Sequence, residues 1–400
     1  MSKVSFLNLG RQPIANGFLT KEELEGEGDE FFFDLSLSFD ADNYLVSLTN
    51  FVEPEKMFNE DYHFHTSASP VMIRHFKNAA NVVKKYKDKR VLEIGSNDGA
   101  FLKNFDKKNI VAVEPCKNFA DYTSDIGYKT YNKFWNMETA NEILEENGPM
   151  EVVYSANCMC HIQDLREAFL AVKKVMDTDG VFIFEDPNLA FMLLKNSYDQ
   201  IYDEHAHIFS VYALSIILQK IGMRVFAAEK MENVHGGSCR VFACNNASKH
   251  YGDLSGALAF ETSMGITQRV DYDYGNCPPA YAAFAHRVEN NTSVLKSRLQ
   301  SIKEEGKKII SYGATSKSTT VFNYAKIGPE LIDYITDTTE SKIGKFSPGM
   351  HIPIISEEEG FDNSVDFAFL GAWNYTDAII AKHPNFSGSW LTHVPEVRTL

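Results

Sequence analysis

The first 70 residues contain no cysteine, and the six elsewhere (Cys116, Cys158, Cys160, Cys239, Cys244 and Cys277) form no C-x-x-C pair. A structural zinc site wants paired thiolates at such a spacing. The chain is therefore expected to be metal-free, with reduced thiols serving as small buried hydrophobes; Cys158 and Cys160 flank Met159 with no second pair to match them. No apolar run reaches the length of a membrane span, and the opening MSKVSFLNLG lacks the apolar stretch of a secretory signal. A cytoplasmic location is the expectation. Basic charge is scarce as well: 39 Lys and Arg face 54 Asp and Glu, a net charge of −15. Phosphate backbones and anionic membranes are bound through dense Lys and Arg, so nucleic acid and membrane drop out as partners and a small molecule remains. The sequence does not specify an oligomeric state. What is present suffices for two or three domains with sizeable cores, since 44% of the 400 residues are hydrophobic.

The most informative stretch is VLEIGSNDGAFLKNFDKKNIVAVE, residues 91–114. It reads as a strand, a small-residue turn opening a helix, and a second strand that ends in Glu114. An acid about 20 residues beyond a glycine turn suits ribose hydroxyls, because a carboxylate accepts hydrogen bonds from both. The turn lacks the full G-x-G-x-x-G spacing and carries Glu93 and Asp98 where a pyrophosphate needs open amides. A cationic nucleoside fits better. S-Adenosylmethionine, with a sulfonium and an ammonium and no phosphate, is thus the expected cofactor, at Glu93, Gly95, Asn97, Asp98, Gly99, Glu114 and Asn157. The plainer alternative is an ordinary strand-to-helix turn with a solvated Asp98.

Along the chain, FFFDLSLSF and NYLVSLTNF read as a hairpin in a small β-rich module over residues 1–70. Residues 71–87 place apolar side chains three or four apart and predict a helix. VLEIG, IVAVE, EVVYSAN and VFIFEDP then alternate with helical stretches, the pattern of a doubly wound parallel sheet over 71–245, whose ligands gather at the carboxyl ends of the strands. RVFAAEKMENVHGGSCRVFACN predicts a further strand pair. A polar stretch near 245–280 marks a boundary, and KKIISYGATSKSTTVFNYA opens a second α/β unit, giving a third domain over 246–400.

Several of these segments resemble one family in the same order: LGRQPIANGFL near the start, EDYHFHTSAS at 60–69, EIGSNDGAFL at 93–102, VVYSANCMCHIQDL at 152–165, FEDPN at 184–188, IYDEHAHIFS at 201–210, HGGSCRVF at 235–242, YGATSKSTTVFNY at 312–324 and D-x-x-x-x-K-x-G-K-x-x-P-G at 337–349. The chain is similar to the S-adenosylmethionine-dependent C-methyltransferases that act on nucleotide-linked keto-deoxysugars. The resemblance implies a class I methyltransferase sheet, Rossmann-like and doubly wound, between a small N-terminal domain and a C-terminal Rossmann-like α/β domain that helps bind the sugar nucleotide. One departure is plain. The family carries an N-terminal zinc site built from two cysteine pairs, and here packing of Phe31, Phe32, Phe33 and Phe39 is expected in its place.

Methylation at carbon needs a carbanion-like nucleophile, which a ketone provides once a base removes the neighbouring proton and a donor meets the developing oxyanion. Tyr202, Glu204 and His205 supply those types within four residues, and the resemblance implies that Y-x-E-H is the catalytic stretch. His205 is read as the base, Glu204 as orienting it or sharing the role, and Tyr202 as a donor to oxygen. For substrate the candidates are Tyr62, His161, Glu185, His235, Gly236, Gly237, Ser238, Arg240, Gly313, Ser316 and Lys317. His161 either meets the substrate or caps a strand end, and Glu185, beside Asp186, either meets hydroxyls or sits in a solvated turn. The HGGS turn either faces a diphosphate or is a tight bend. Gly313, Ser316 and Lys317 form a small-residue loop that offers amides and a cation to phosphate. Asp61 and Phe64 accompany Tyr62 in an aromatic motif. Two other readings stay open: methyl transfer to a nucleotide-free sugar or a hydroxyl, and a non-catalytic sugar-nucleotide binder.

Overall fold

The computed structural model describes residues 3–26, 30–60, 62–87, 89–268 and 277–400, and three sheets organise them. The first begins with β1 (Val4–Pro13), β2 (Phe32–Asp40) and β3 (Leu45–Leu48). β2 and β3 form the expected hairpin, with Leu37 opposite Leu48 and Asp40 opposite Leu45. Alternation along these strands buries Leu7, Leu9, Leu35, Leu37, Phe39, Val46 and Leu48. Phe39 is fully buried, but Phe31 is 41% exposed and stacks on Phe33. The expected packing of four phenylalanines is thus corrected to a largely leucine core, because a period of two puts Leu35, Leu37 and Phe39 on the inward face.

The central sheet holds β4 (Val91–Ile94), β5 (Ile110–Val113), β6 (Lys129–Tyr131), β7 (Met150–Ala156) and β8 (Met176–Pro187). β4 is buried along its whole length, as expected for a strand covered by helices on both faces. After β8 the chain leaves this sheet: β9 (His207–Ile208) pairs with β3 of the first sheet, Ser47 opposite His207. It then returns as β10 (Met223–Met231) and β11 (Ser238–Asn245), the predicted strand pair. The strand order β10-β11-β8-β7-β4-β5-β6, with β11 antiparallel to both neighbours, is a class I methyltransferase sheet.

The third sheet contains β12 (Ile309–Tyr312), β13 (Ile335–Asp337), β14 (Ile354–Ser356), β15 (Phe367–Leu370), β16 (Ser389–Thr392) and β17 (Arg398–Thr399), in the order β14-β13-β12-β15-β16-β17. All its pairings are parallel except the last, so it is Rossmann-like. The long helix Pro279–Glu304 bridges the sheets: Tyr281, Phe284 and Val288 share one core with Leu37 and Phe39, and Leu295 and Leu299 continue it to Ile309 and Phe369. The N-terminal sheet therefore has no isolated core. Among the described residues no helix is long and apolar enough to cross a membrane.

Candidate active site

The carboxyl ends of β4, β5 and β7 open onto a cavity of about 410 Å³. Glu93, Gly95, Asn97, Glu114 and Asn157 line it, so five of the seven residues expected to hold a methyl donor face one space. Glu114 Oε2 accepts from the Asn97 amide at 2.7 Å, and its Oε1 accepts from the Cys116 amide at 2.8 Å. The glycine turn and the second strand are thereby locked together. Gly95 has a φ of +77°, and a Cβ there would lie 2.8 Å from Cys158 Sγ, so both dihedral and space require glycine. Glu93 is buried, and its Oε2 has no hydrogen-bond partner. Burial, reinforced by Glu114 and Asp98, holds its carboxyl well above the usual range.

Asp98 and Gly99 do not line the cavity. Asp98 accepts from the Ser67 amide at 2.9 Å and from the Ser67 hydroxyl at 2.6 Å, while Asn97 Oδ1 accepts from the Thr66 amide. This pair fastens segment 64–68 over the turn. Gly99, with a φ of +76°, closes the turn through its amide to Ser96. Asp61 lies outside the described residues.

At its other end the cavity meets Phe58, Tyr62, His161 and His235. Phe58 stacks on His161 with ring centroids 5.3 Å apart, and His161 stacks on His205 at 5.4 Å. Burial brings the His161 imidazole down to about 4 and that of His235 down to about 3, so both rings are neutral at physiological pH. His205 Nδ1 lies 2.6 Å from the Gln200 carbonyl and must donate to it, which leaves the Nε2 lone pair to accept from the Tyr202 hydroxyl at 2.9 Å. Burial first, and the nearby Lys317 ammonium with it, push the His205 pKa well below its usual value.

Glu204 receives two donors from the N-terminal module. Asn16 Nδ2 donates to Oε1 at 2.6 Å and the Tyr62 hydroxyl donates to Oε2 at 3.0 Å. The neighbouring Asp203 accepts from the Ala15 amide at 2.9 Å. Burial raises the Glu204 carboxyl, and the Asn16 and Tyr62 bonds and the nearby Lys317 and Lys342 ammonium groups oppose that rise. Burial depresses both lysines in turn. Lys342 donates to the Ala314 carbonyl at 2.8 Å.

The remaining candidates separate. Gly313 turns the chain at the end of β12 with a φ of +96°, and Ser316 begins the helix Ser316–Ala325 that carries Lys317. Part of this loop is already satisfied: the Ala314 amide donates to Asp337, and Thr315 caps Ser318. The HGGS turn links β10 to β11. A Cβ on Gly236 would lie 2.7 Å from the Trp373 ring, and one on Gly237 would lie 2.4 Å from Phe191, so both glycines serve close packing. Trp373 Nε1 in turn donates to Asp199. Ser238 is buried and donates to the Val234 carbonyl. Glu185 and Arg240 stand away from the cavity wall in a buried ion pair at 2.7 Å, extended by His75 on Glu185 and by Glu229 on Arg240. These charges satisfy one another across β8 and β11. Sequence reasoning assigned no role to Asn16, Asp199, Lys342 or Trp373; Asn16 and Lys342 do lie inside quoted motifs, which were the only signal available.

Three family profiles cover the chain: a zinc binding domain over residues 1–58, a methyltransferase domain over 72–228, and a C-methyltransferase C-terminal domain over 233–395. Over 98% of its length the chain is 30% identical to the C-methyltransferase NovU of Streptomyces niveus, covering 93% of that protein. The chain belongs to the C-methyltransferase family. Among solved structures, this C-methyltransferase is similar to a SAM dependent methyltransferase from Archaeoglobus fulgidus (18% identity, TM-score 0.35, 40% of this chain and 73% of that one). A second is the CcbJ methyltransferase from Streptomyces caelestis (12% identity, TM-score 0.34, 43% and 90%). The zinc profile does not fit the side chains present. Residues 1–58 contain neither cysteine nor histidine, which removes the thiolate and imidazole ligands of a structural zinc.

Proposed function

We propose that this enzyme uses S-adenosylmethionine to methylate the carbon next to the ketone of a nucleotide-linked keto-deoxysugar, through an enolate. One observation carries the reading: a single cavity runs from the acidic nucleoside end at Glu93 and Glu114 to Tyr62 and His161, and behind those two wall residues stand Glu204, bonded to the Tyr62 hydroxyl, and His205, stacked on His161. The donor end fits its ligand on the chain's own terms. Glu93 offers a buried oxygen without a partner to a cation, Glu114 offers remaining lone pairs to ribose hydroxyls, and Gly95 lets the ligand approach the backbone. When bound, S-adenosylmethionine supplies an electrophilic methyl group on a sulfonium.

The chain's residues make the nucleophile. His205 Nε2 carries a lone pair because Nδ1 donates to Gln200, and it takes the α-proton of the substrate while the C–H electrons pass into the enolate. Tyr202, released from His205, donates to the enolate oxygen, and the charges of Lys317 and Lys342 favour that anion. Glu204, held by Asn16 and Tyr62, orients the substrate and shares the proton. S-Adenosylmethionine, held at Glu93, Gly95 and Glu114, would supply the methyl group that the enolate carbon takes up, and the imidazolium returns its proton to solvent. The Gly313 to Lys317 loop supports a nucleotide, since a glycine turn opening the helix Ser316–Ala325 offers first-turn amides to a phosphate.

Mass spectrometry of products after incubation with labelled methyl donor and a panel of keto-sugar nucleotides tests this. Label at carbon beside the ketone is expected. Label on a hydroxyl or on a nucleotide-free sugar would replace the acceptor, and binding without turnover on any acceptor would replace the enzyme with a binding protein.

A further inference from the structure

Cys160 and His161 occupy the short turn Met159–His161 after β7, and the fold brings His205 against them. One ligand atom from each of the three lies within 4.8 Å of the others. Ligands on one tetrahedral zinc, with bonds of about 2.0–2.3 Å, lie about 3–4 Å apart, so a small inward movement closes the set. Two further features favour a metal there. His161 Nε2 is buried and has no hydrogen-bond partner. His205 donates Nδ1–H to the Gln200 carbonyl, the arrangement by which metal-ligating imidazoles are oriented with Nε2 free to coordinate.

We propose that Cys160, His161 and His205 form a binding site for a soft divalent cation of the Zn2+ type, and that occupancy switches methyl transfer off. A thiolate with two imidazoles selects zinc over magnesium or calcium, and three protein ligands leave one position for water. Binding forms one metal–sulfur and two metal–nitrogen bonds, displaces Tyr202 from His205 Nε2, and releases the thiol proton to solvent. Inhibition follows because the lone pair that would take the substrate proton is then held by the metal. The inhibitory half rests on the proton-acceptor role given to His205 above; the binding half does not.

Titration of the full-length protein with Co2+ reads binding without catalysis. One equivalent giving a thiolate-to-cobalt charge-transfer band, lost in Cys160→Ser and Cys160→Ala, is the expected result. Zn2+ should inhibit wild-type turnover reversibly on addition of a chelator. The two Cys160 variants should retain basal turnover and need roughly 10–100-fold more Zn2+ for the same inhibition, the scale of disturbing a metal site. No charge-transfer band, equal inhibition of the Cys160 variants, or faster turnover with Zn2+ would each overturn the proposal. A Cys160-dependent band in a protein that methylates no acceptor would support the metal site while sinking the C-methylation reading.

Discussion

Asn16 donates to Glu204 across 188 residues of sequence, at 2.6 Å. The N-terminal module thus fixes a carboxylate that also lies near Lys317 and Lys342 of the C-terminal domain. Hydrogen bonds to a charged carboxylate lower its pKa, so their loss raises it. Asn16→Ala should therefore move the acid limb of the kcat profile to higher pH, and slow turnover by about 10–100-fold, the equivalent of about 1.5–3 kcal/mol for one charged hydrogen bond. Donor affinity should stay unchanged. A pH profile identical to wild type would show that Glu204 is held without Asn16.

Proton abstraction and methyl transfer should be separable. With S-adenosylhomocysteine in place of the methyl donor, the enzyme is expected to exchange the substrate α-hydrogen for solvent deuterium without methylating. His205→Asn should slow that exchange by roughly 10²–10⁴-fold, the range for general-base catalysis. Normal exchange in His205→Asn together with its loss in Glu204→Gln would move the base role to Glu204, and normal activity in both variants would pass it to His161.

The rate should show no acid limb near the ordinary histidine value. Burial depresses the His205 pKa well below 6.5, so the ring is neutral and proton-accepting at pH 7 and remains so as the pH falls past 6.5. A limb at that value that disappears in a His205 variant would contradict the buried geometry.

At the donor end, Glu114→Ala removes the acceptor for ribose hydroxyls and for the Asn97 and Cys116 amides. Calorimetry should show S-adenosylhomocysteine bound more weakly by roughly 1.5–3 kcal/mol. Tight binding of NADH with no response to the methyl donor would instead assign the cavity to a dinucleotide.

Stability on the acid side should depend on Glu185. Its carboxyl is lowered from 4.5: burial raises it, but His75 and Arg240 outweigh that. A group with a depressed folded pKa contributes stability above 4.5 and loses it as the pH falls through the folded value. Arg240→Met should cost about 3–5 kcal/mol at pH 7, the scale for leaving one member of a buried pair alone. The loss should shrink once Glu185 is protonated, and denaturant melts at pH 7 and at low pH measure the difference. Equal losses at both pH values would mean that Arg240 contributes packing rather than charge.

The parallel strands, the glycine turn and the terminal acid were legible because their requirements are local. VLEI and IVAV need only short, largely apolar runs, and the positive φ at Gly95 is a local requirement, although its closeness to Cys158 is not. The pairing of Glu185 with Arg240 was not legible in the same way. Both carry site-like charge near strand ends, and pairing of β8 with β11 places Arg240 opposite Glu185, where the two form a buried ion pair at 2.7 Å. Asp98 is likewise engaged by Ser67, a partner 31 residues away.

By itself the sequence determined the family, the order of the three sheets' segments and the chemical types assembled for the reaction, since these depend on periodicity and on motifs within short windows. Only the tertiary structure decided which of those side chains meet. The return of β9 to the N-terminal sheet sets His205 beside His161 and Glu204 beside Asn16. Contacts of that kind span more than a hundred residues for Asn16 and Tyr62; they are fixed by strand pairing and a shared core and leave no trace in local spacing.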